Sequence, residues 1–227
     1  MKLRTEGAEK QVMIATPSID GTVWLDYMNS YIHSIVLAAN HGWSVAIQGM
    51  SGNSLINYAR AILGQDFMDS DADVLFFIDS DLSWDPDGFV RILESPFDMV
   101  AGAYPIKDDG PIRFHVKITG GKYNGTGPLL VDTTKAAGGF IKITRSAMTK
   151  MQEAYPELKA RFRDRDIFML WDCMIVNGEP LGEDFSFCER WQRIGGKIYI
   201  DPDINFRHYG RKHWEGNFLR DVINKET

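Results

Sequence analysis

Only two cysteines, Cys173 and Cys188, occur in 227 residues, and they form neither a CxxC pair nor a spaced framework. That scarcity excludes a disulfide-held scaffold, and both thiols are expected reduced and mostly packed. Long apolar runs are missing too. Nothing approaches the ~18 continuous apolar residues of a membrane span, and Met1–Lys10 is polar, without the apolar core of a signal peptide. A cytoplasmic location is the expectation. Positive charge is in deficit, with 25 Lys and Arg against 31 Asp and Glu, a formal net charge of −6. Broad, sequence-independent binding to nucleic acid is therefore not expected. Gly-Lys-Ser/Thr, GxGxxG, HExxH and GxSxG patterns are absent, which weighs against a P-loop ATPase, a nicotinamide dehydrogenase, a zincin and an α/β-hydrolase. What remains is ordinary globular composition, 44% hydrophobic and 25% charged, in a chain long enough for a sizeable core.

The most informative stretch is residues 73–88, Asp-Val-Leu-Phe-Phe-Ile-Asp-Ser-Asp-Leu-Ser-Trp-Asp-Pro-Asp-Gly. Val74–Ile78 has the length and the β-branched and aromatic content of a strand buried on both faces. Asp79 and Asp81 follow at once, at the carboxyl end where open α/β sheets bind ligands. Continued strand alternation would aim both carboxylates to one side, where they could grip a hard cation and, through it, a diphosphate.

Around this run the first half alternates strand and helix. Strands are expected at Val12–Ala15, Ser44–Ile47 and Asp98–Ala103, and helices at Val23–Asn40, Ser54–Met68 and from Pro86 to about Glu94, the last opened by Asp85 as N-cap. The order implies a mainly parallel sheet with helices on both faces. In the second half, Arg113–Thr119 and the glycines of Gly120-Gly121 and Asn124-Gly125-Thr126-Gly127 suggest hairpin strands. Gly138–Thr144 reads as a strand, Arg145–Ala154 and Glu183–Ile194 as helices, and Lys197–Ile200 as a strand. Residues 156–180 show no period and are assigned to a loop or flap, and a polar tail follows Asp201. No linker or repeat divides residues 1–227. One domain is expected, with a nucleotide-binding half near 11–103 and an acceptor and metal-completing half near 104–215.

Four pieces occur in order: Thr16-Pro17-Ser18 after the first strand, Asp79-Ser80-Asp81 after the third, Glu183-Asp184 at a helix start, and a late His208. In this pattern the chain resembles the GT-A glycosyltransferases, metal-dependent enzymes that use nucleotide-sugar donors, over roughly residues 11–213. The resemblance implies a GT-A-like, Rossmann-type α/β fold, its sheet mainly parallel, with a smaller antiparallel part on the acceptor side. It also implies a transferase that moves a sugar from a nucleotide-diphosphate sugar to an acceptor hydroxyl that the sequence does not identify.

Residue roles follow from the same resemblance. Asp81 and His208 would hold Mn2+ or Mg2+, with Asp79 on the metal or the ribose; an imidazole ligand tilts the choice toward Mn2+. Thr16, Pro17, Ser18 and Ser80 would border the donor. Arg60 would reach the nucleotide or support the acidic triplet, and Arg211 and Lys212 would offset diphosphate charge. Asp184, ahead of Glu183, would be the general base of an inverting transfer. Acidic residues also suit the first turn of any helix, through the macrodipole. Gly138-Gly139-Phe140 is a candidate floor under the sugars, and His213 is a second histidine candidate. Trp84, Tyr104, Trp171, Asp172 and Trp214 are candidates to stack on sugar rings or hydrogen-bond them. Two other classes share parts of the pattern, a sugar-1-phosphate nucleotidyltransferase and a non-catalytic nucleotide- or sugar-binding module. The first normally carries a glycine-rich basic loop after its first strand, and here no Arg or Lys follows that strand until Arg60.

Overall fold

The computed structural model describes residues 2–3, 10–123 and 130–225, so residues 4–9 and the turn expected at Asn124–Gly127 lie outside the described residues. The first half forms β1 (Lys2–Leu3), β2 (Lys10–Ser18), α1 (Leu25–Asn40), β3 (Trp43–Ser51), α2 (Ile56–Met68), β4 (Val74–Ile78), β5 (Leu82–Trp84), α3 (Pro86–Glu94) and β6 (Met99–Gly102). Every side chain of β4 is buried, as its apolar run requires. Parallel pairing places β2 between β3 and β4. β2 runs on to Ser18, past the expected end at Ala15. Pro17 is tolerated there because pairing with β4 stops at Ala15, leaving β3 as the only partner.

The second half supplies β7 (Val116–Tyr123), β8 (Leu130–Ala136), β9 (Phe140–Thr144), α4 (Arg145–Ala154), α5 (Glu183–Arg193) and β14 (Ile198–Asp201). Between α4 and α5 lie two short hairpins, β10 (Lys159–Phe162) with β11 (Arg165–Phe168) and β12 (Met174–Val176) with β13 (Glu179–Leu181). These replace the loop expected over 156–180. Their strands are three or four residues long, too short for a period to show. The tail beyond Asp201 also acquires structure. β15 (Phe206–Tyr209) and β16 (His213–Gly216) form a hairpin, and β15 pairs with β5 to make a three-stranded antiparallel sheet.

The main sheet has nine strands in the order β1-β3-β2-β4-β9-β6-β14-β8-β7. Its strands run mainly one way: β3, β2, β4, β6, β14 and β7 share a direction, and β1, β9 and β8 oppose it. β9 is inserted antiparallel between β4 and β6, so a strand from the second half lies at the heart of the first. This insertion carries Gly138 and Gly139 to the carboxyl end of β4.

Apolar clusters cover both faces of the sheet, one joining β2, β4, β9, α2, α4 and α5, the other joining β2, β4, α1 and α3. Arg145 ties the first together by donating to the carbonyls of Phe67, Met68, Ser70 and Ala72, which end α2 and the following turn. Asp85 precedes Pro86 as expected, but its carboxylate accepts from the Asn205 backbone and side chain instead of capping α3. Among the described residues, no helix is long and apolar enough to cross a membrane.

Candidate functional site

At the carboxyl end of β4 the chain does not continue as a strand. β4 ends at Ile78, and the Leu82 N–H donates to the Asp79 carbonyl at 3.3 Å, closing a turn. Strand alternation therefore no longer sets the two carboxylates, and they meet different partners. Asp79 faces Arg60, whose Nη2 donates to both its oxygens at 3.0 and 3.2 Å. Arg60, on α2, is 2% exposed and also donates to the Gly138 carbonyl at 3.0 Å. Among the described residues its Nε has no hydrogen-bond partner, and it lies 3.7 Å from Glu183 Oε1.

Charge balance explains how a guanidinium is tolerated there. Burial disfavours its charge, but Asp79 and Glu183 more than offset that and hold its pKa above the ordinary value. Burial likewise raises the Asp79 carboxyl, with Arg60 opposing the rise and Asp81 adding to it. β9's entry turn closes the arrangement. The Asp79 N–H donates to the Gly139 carbonyl at 2.8 Å, and the Gly139 N–H donates to Tyr104 Oη at 3.0 Å. A Cβ on Gly139 would sit 2.5 Å from both Asp79 Oδ2 and Tyr104 Oη, so glycine is required by close approach.

Asp81 belongs to a second group. Lys107 Nζ lies 2.5 Å from its Oδ2, and His208 Nε2 lies 3.6 Å from its Oδ1. β15 runs antiparallel to β5 with His208 opposite Leu82, and the Tyr209 N–H donates to the Asp81 carbonyl at 2.7 Å. This pairing is what brings a residue from the tail to the acidic turn. His208 Nδ1 is 2.9 Å from the Pro105 carbonyl. A carbonyl only accepts, so Nδ1 carries a proton, and Nε2 is the ring nitrogen that faces Asp81. Burial alone would raise the Asp81 carboxyl, but His208 and Lys107 outweigh it, and Asp81 lies below its ordinary pKa.

One cavity borders the turn, and a second adjoins the first. One, of about 200 Å³, is bordered by Pro17, Ser18, Asn53, Asp79, Ser80 and Asp81. Another, of about 320 Å³, lies further along β2 and β3 and is walled by Thr16, Tyr27, Tyr31, Ile47, Gln48 and Met50. Ser18 and Met50 border both. Together they trace a path from an apolar, tyrosine-walled recess to the carboxylates. Thr16 Oγ1 and Tyr27 Oη are 2.6 Å apart within it.

Glu183 and Asp184 open α5 beside Arg60 and Gly138. Asp184 Oδ1 accepts the Phe185 N–H at 2.7 Å. Burial and then the Glu183 charge raise its pKa, against backbone hydrogen bonds and Arg60. A carboxylate so raised is a stronger base than one in water.

The remaining candidates divide. Trp171 stacks on Phe187 at 4.4 Å, and Trp84 donates to Ser34 Oγ at 2.9 Å; both belong to the core. Asp172 accepts from Asn57 at 2.8 Å. Lys212 pairs with Asp109 at 2.6 Å and sits over the Trp214 ring. Arg211 is exposed in the β15–β16 turn, and His213 is exposed against Tyr209. Sequence reading missed Lys107 and the Pro105 carbonyl. A lone lysine ahead of two aspartates makes no pattern, and a carbonyl leaves no trace in sequence at all.

Comparison with known proteins bears on the fold. No protein-family model matches the chain, and no curated protein matches it by sequence. Among solved structures it is similar to A197 from STIV, with TM-score 0.54 and 18% identity, covering 88% of this chain and 86% of that one. It is also similar to GalNAc-T7, crystallised with UDP, GalNAc and Mn2+, with TM-score 0.51 and 13% identity. That match covers 89% of this chain but only 44% of the other. At these identities the likeness is one of fold, and the fold is GT-A-like, of the kind a glycosyltransferase uses.

Proposed function

We propose that the protein transfers a sugar from a nucleotide-diphosphate sugar to an acceptor hydroxyl, with inversion at the anomeric carbon. The observation that carries the reading is a convergence at one sheet edge. There the Asp79–Asp81 turn borders a cavity, His208 faces Asp81, and Arg60 links Asp79 to the Glu183–Asp184 helix start, in a fold shared with GalNAc-T7, whose crystal holds UDP, GalNAc and Mn2+.

The residues at Asp81 fit a divalent cation. One carboxylate and one imidazole face each other at 3.6 Å, and the Pro105 carbonyl at Nδ1 orients the ring so that Nε2 is the nitrogen presented to a metal. Among the described residues no cluster of three or more His, Cys, Asp or Glu side chains is poised for a metal. Asp81 and His208 would hold Mn2+ or Mg2+, Asp79 would border the ribose from its place on Arg60, and the ion would neutralise the diphosphate and stabilise the leaving group. The recess at Thr16, Pro17 and Ser18 receives the nucleoside, and Ser80 borders the phosphates. Arg60 keeps Asp79 and the Gly138 carbonyl fixed, so the turn is preorganised before donor arrives. Arg211 and Lys212 add positive charge at the hairpin end.

Chemistry falls to Asp184. Its carboxylate takes the acceptor hydroxyl proton as that oxygen attacks the anomeric carbon, and the bond from that carbon to the phosphate oxygen breaks. The nucleotide diphosphate leaves with the electron pair. Asp184→Asn keeps size but removes the base, so turnover should fall by ~10²–10⁴-fold while donor affinity survives. The test is a panel of nucleotide-diphosphate sugars with Mn2+, read by thermal shift and by release of nucleotide diphosphate. One donor should raise the melting temperature and be consumed, and chelator should stop its turnover. If every donor is inert in both readouts, the reading is wrong.

A further inference from the structure

Lys107 has no place in the roles above, yet it makes the shortest polar contact to Asp81, at 2.5 Å to Oδ2. We propose that Lys107 is an exchange cation: it neutralises Asp81 until a divalent ion displaces it, and its freed ammonium then binds the donor's diphosphate. The inference rests on the reading of Asp81 as a metal ligand.

The geometry divides the carboxylate between two partners. Oδ1 faces His208 Nε2, and Oδ2 faces the ammonium. A divalent ion accepted by Asp81 and His208 would come into contact range of Lys107. Two cations at that separation repel, so the ammonium must move. It is free to do so. Both side chains of the pair are 32% exposed, and lysine carries its charge on a flexible four-carbon stem with three donors. The stem lies along Gly210 beside the β15–β16 turn, where an added Cβ would sit 3.4 Å from Lys107 Cδ.

Arg211 lies exposed in the β15–β16 turn, and the other cations near this edge are paired with other carboxylates. Arg60 is buried on Asp79, Lys212 is on Asp109 and Arg113 is on Asp108. Lys107 also shares a segment with the group that orients His208. Pro105 supplies the carbonyl to Nδ1, and the Ile106 N–H closes the segment onto the Arg113 carbonyl at 2.8 Å. One short stretch of backbone thus holds the imidazole ready for metal and places the competing cation across the same carboxylate. Displaced by only a side-chain rotation, the ammonium remains beside the Asp81 cavity that the diphosphate is to enter.

The test uses Mn2+ alone and inorganic pyrophosphate as probes of the full-length protein. Free Mn2+ is followed by electron paramagnetic resonance, and pyrophosphate binding to the Mn2+-loaded protein by calorimetry. Lys107→Met should bind Mn2+ about tenfold more tightly, because its competitor is gone, and pyrophosphate about tenfold more weakly. Lys107→Arg should stay within about threefold of the parent in both, since it keeps the charge. Unchanged or weaker Mn2+ binding by Lys107→Met would overturn the exchange, and unchanged pyrophosphate binding would overturn the hand-off. Asp81→Ala separates the two levels. If that variant binds Mn2+ like the parent, Asp81 is not a ligand and the metal assignment itself fails, whereas loss of Mn2+ there with no gain in Lys107→Met leaves the assignment standing and removes only the exchange.

Discussion

Asp79 and Asp81 carry the same group two residues apart, yet they work in opposite settings. Asp79 is gripped by a guanidinium that is 2% exposed and backed by the Gly138 carbonyl, Glu183 and the Phe77 ring. Asp81 meets a partly exposed ammonium and an imidazole. The first partner cannot leave without stranding a buried charge, and the second can. The turn that follows β4 is what separates them, because it removes the alternation that would have aimed both at one ligand. One carboxylate thereby becomes part of the scaffold, and the other stays available for exchange.

Breaking the scaffold pair should have the largest effect. Asp79→Asn leaves Arg60 buried with Glu183, 3.7 Å from Nε, as its nearest countercharge, and should cost about 3–5 kcal/mol. Arg60→Met should cost less, because the Asp79 side chain is 27% exposed and can recover water. Urea denaturation of both variants measures the difference. A loss below about 1 kcal/mol in Asp79→Asn would place this pair with ordinary surface pairs.

Gly139→Ala attacks the same side through sterics alone. The new Cβ would meet Asp79 Oδ2 and Tyr104 Oη at 2.5 Å, and overpacking of this kind costs about 1–3 kcal/mol. Donor binding should weaken with it, since Asp79 must move. Equal donor affinity in Gly139→Ala and the parent would detach Asp79 from the donor.

How much of this was legible beforehand follows the same division. Apart from Leu82–Trp84, the strands and helices from β2 to β6 are apolar runs or helically spaced segments bounded by Pro, Gly and Asp, so sequence places them, although β2 and β3 run past their expected ends. The acidic turn, the Glu183–Asp184 pair and His208 are visible as motifs. What is hidden depends on long-range pairing. Nothing local in Phe140–Thr144 says that it enters the sheet antiparallel beside β4, yet that insertion brings Gly138 and Gly139 to Arg60 and Asp79. Likewise, Leu82–Trp84 is too short to announce a strand, but its pairing with Phe206–Tyr209 is what delivers His208. Lys107 reaches Asp81 through a loop with no period at all.

A buried lysine far from this edge offers a control for the Arg60 reasoning. Lys142, on β9, is 2% exposed, and its ammonium donates to the Ser95 carbonyl. Burial lowers its pKa from 10.5 to about 8, with Asp98 opposing. Above pH 8 the folded lysine loses its proton before the unfolded one does, so the unfolded chain holds more protons and stability rises with pH. Between pH 8 and about 9.5 the gain should be on the order of 1–2 kcal/mol, and Lys142→Met should abolish it. Past pH 10 the buried phenols of Tyr27 and Tyr31, raised by burial, turn the trend downward, because the unfolded phenols ionise first. Flat stability over pH 8–9.5 would show that a carbonyl suffices to hold a buried ammonium charged, and would weaken the case that Arg60 needs its carboxylates.

The smallest effect on stability should come from the other half of the triplet. Asp81→Asn removes a pair whose side chains are both 32% exposed, and exposed pairs contribute about 0–1 kcal/mol. Its freed partner is a lysine that water can solvate at once, so no buried charge is stranded. The asparagine keeps the backbone carbonyl that accepts the Tyr209 N–H, and β15 stays paired to β5. Denaturation at pH 7 should therefore match the parent within about 1 kcal/mol, while Mn2+ binding is lost. Acid sharpens the contrast. Asp81 has a pKa below its usual 3.8, so its contribution is complete above that value and disappears as pH falls through the lower folded one. The parent and Asp81→Asn should thus converge only in strong acid. A loss of several kcal/mol at pH 7 would mean that Asp81 is as deeply built into the scaffold as Asp79, and the division between a fixed and an exchangeable carboxylate would collapse.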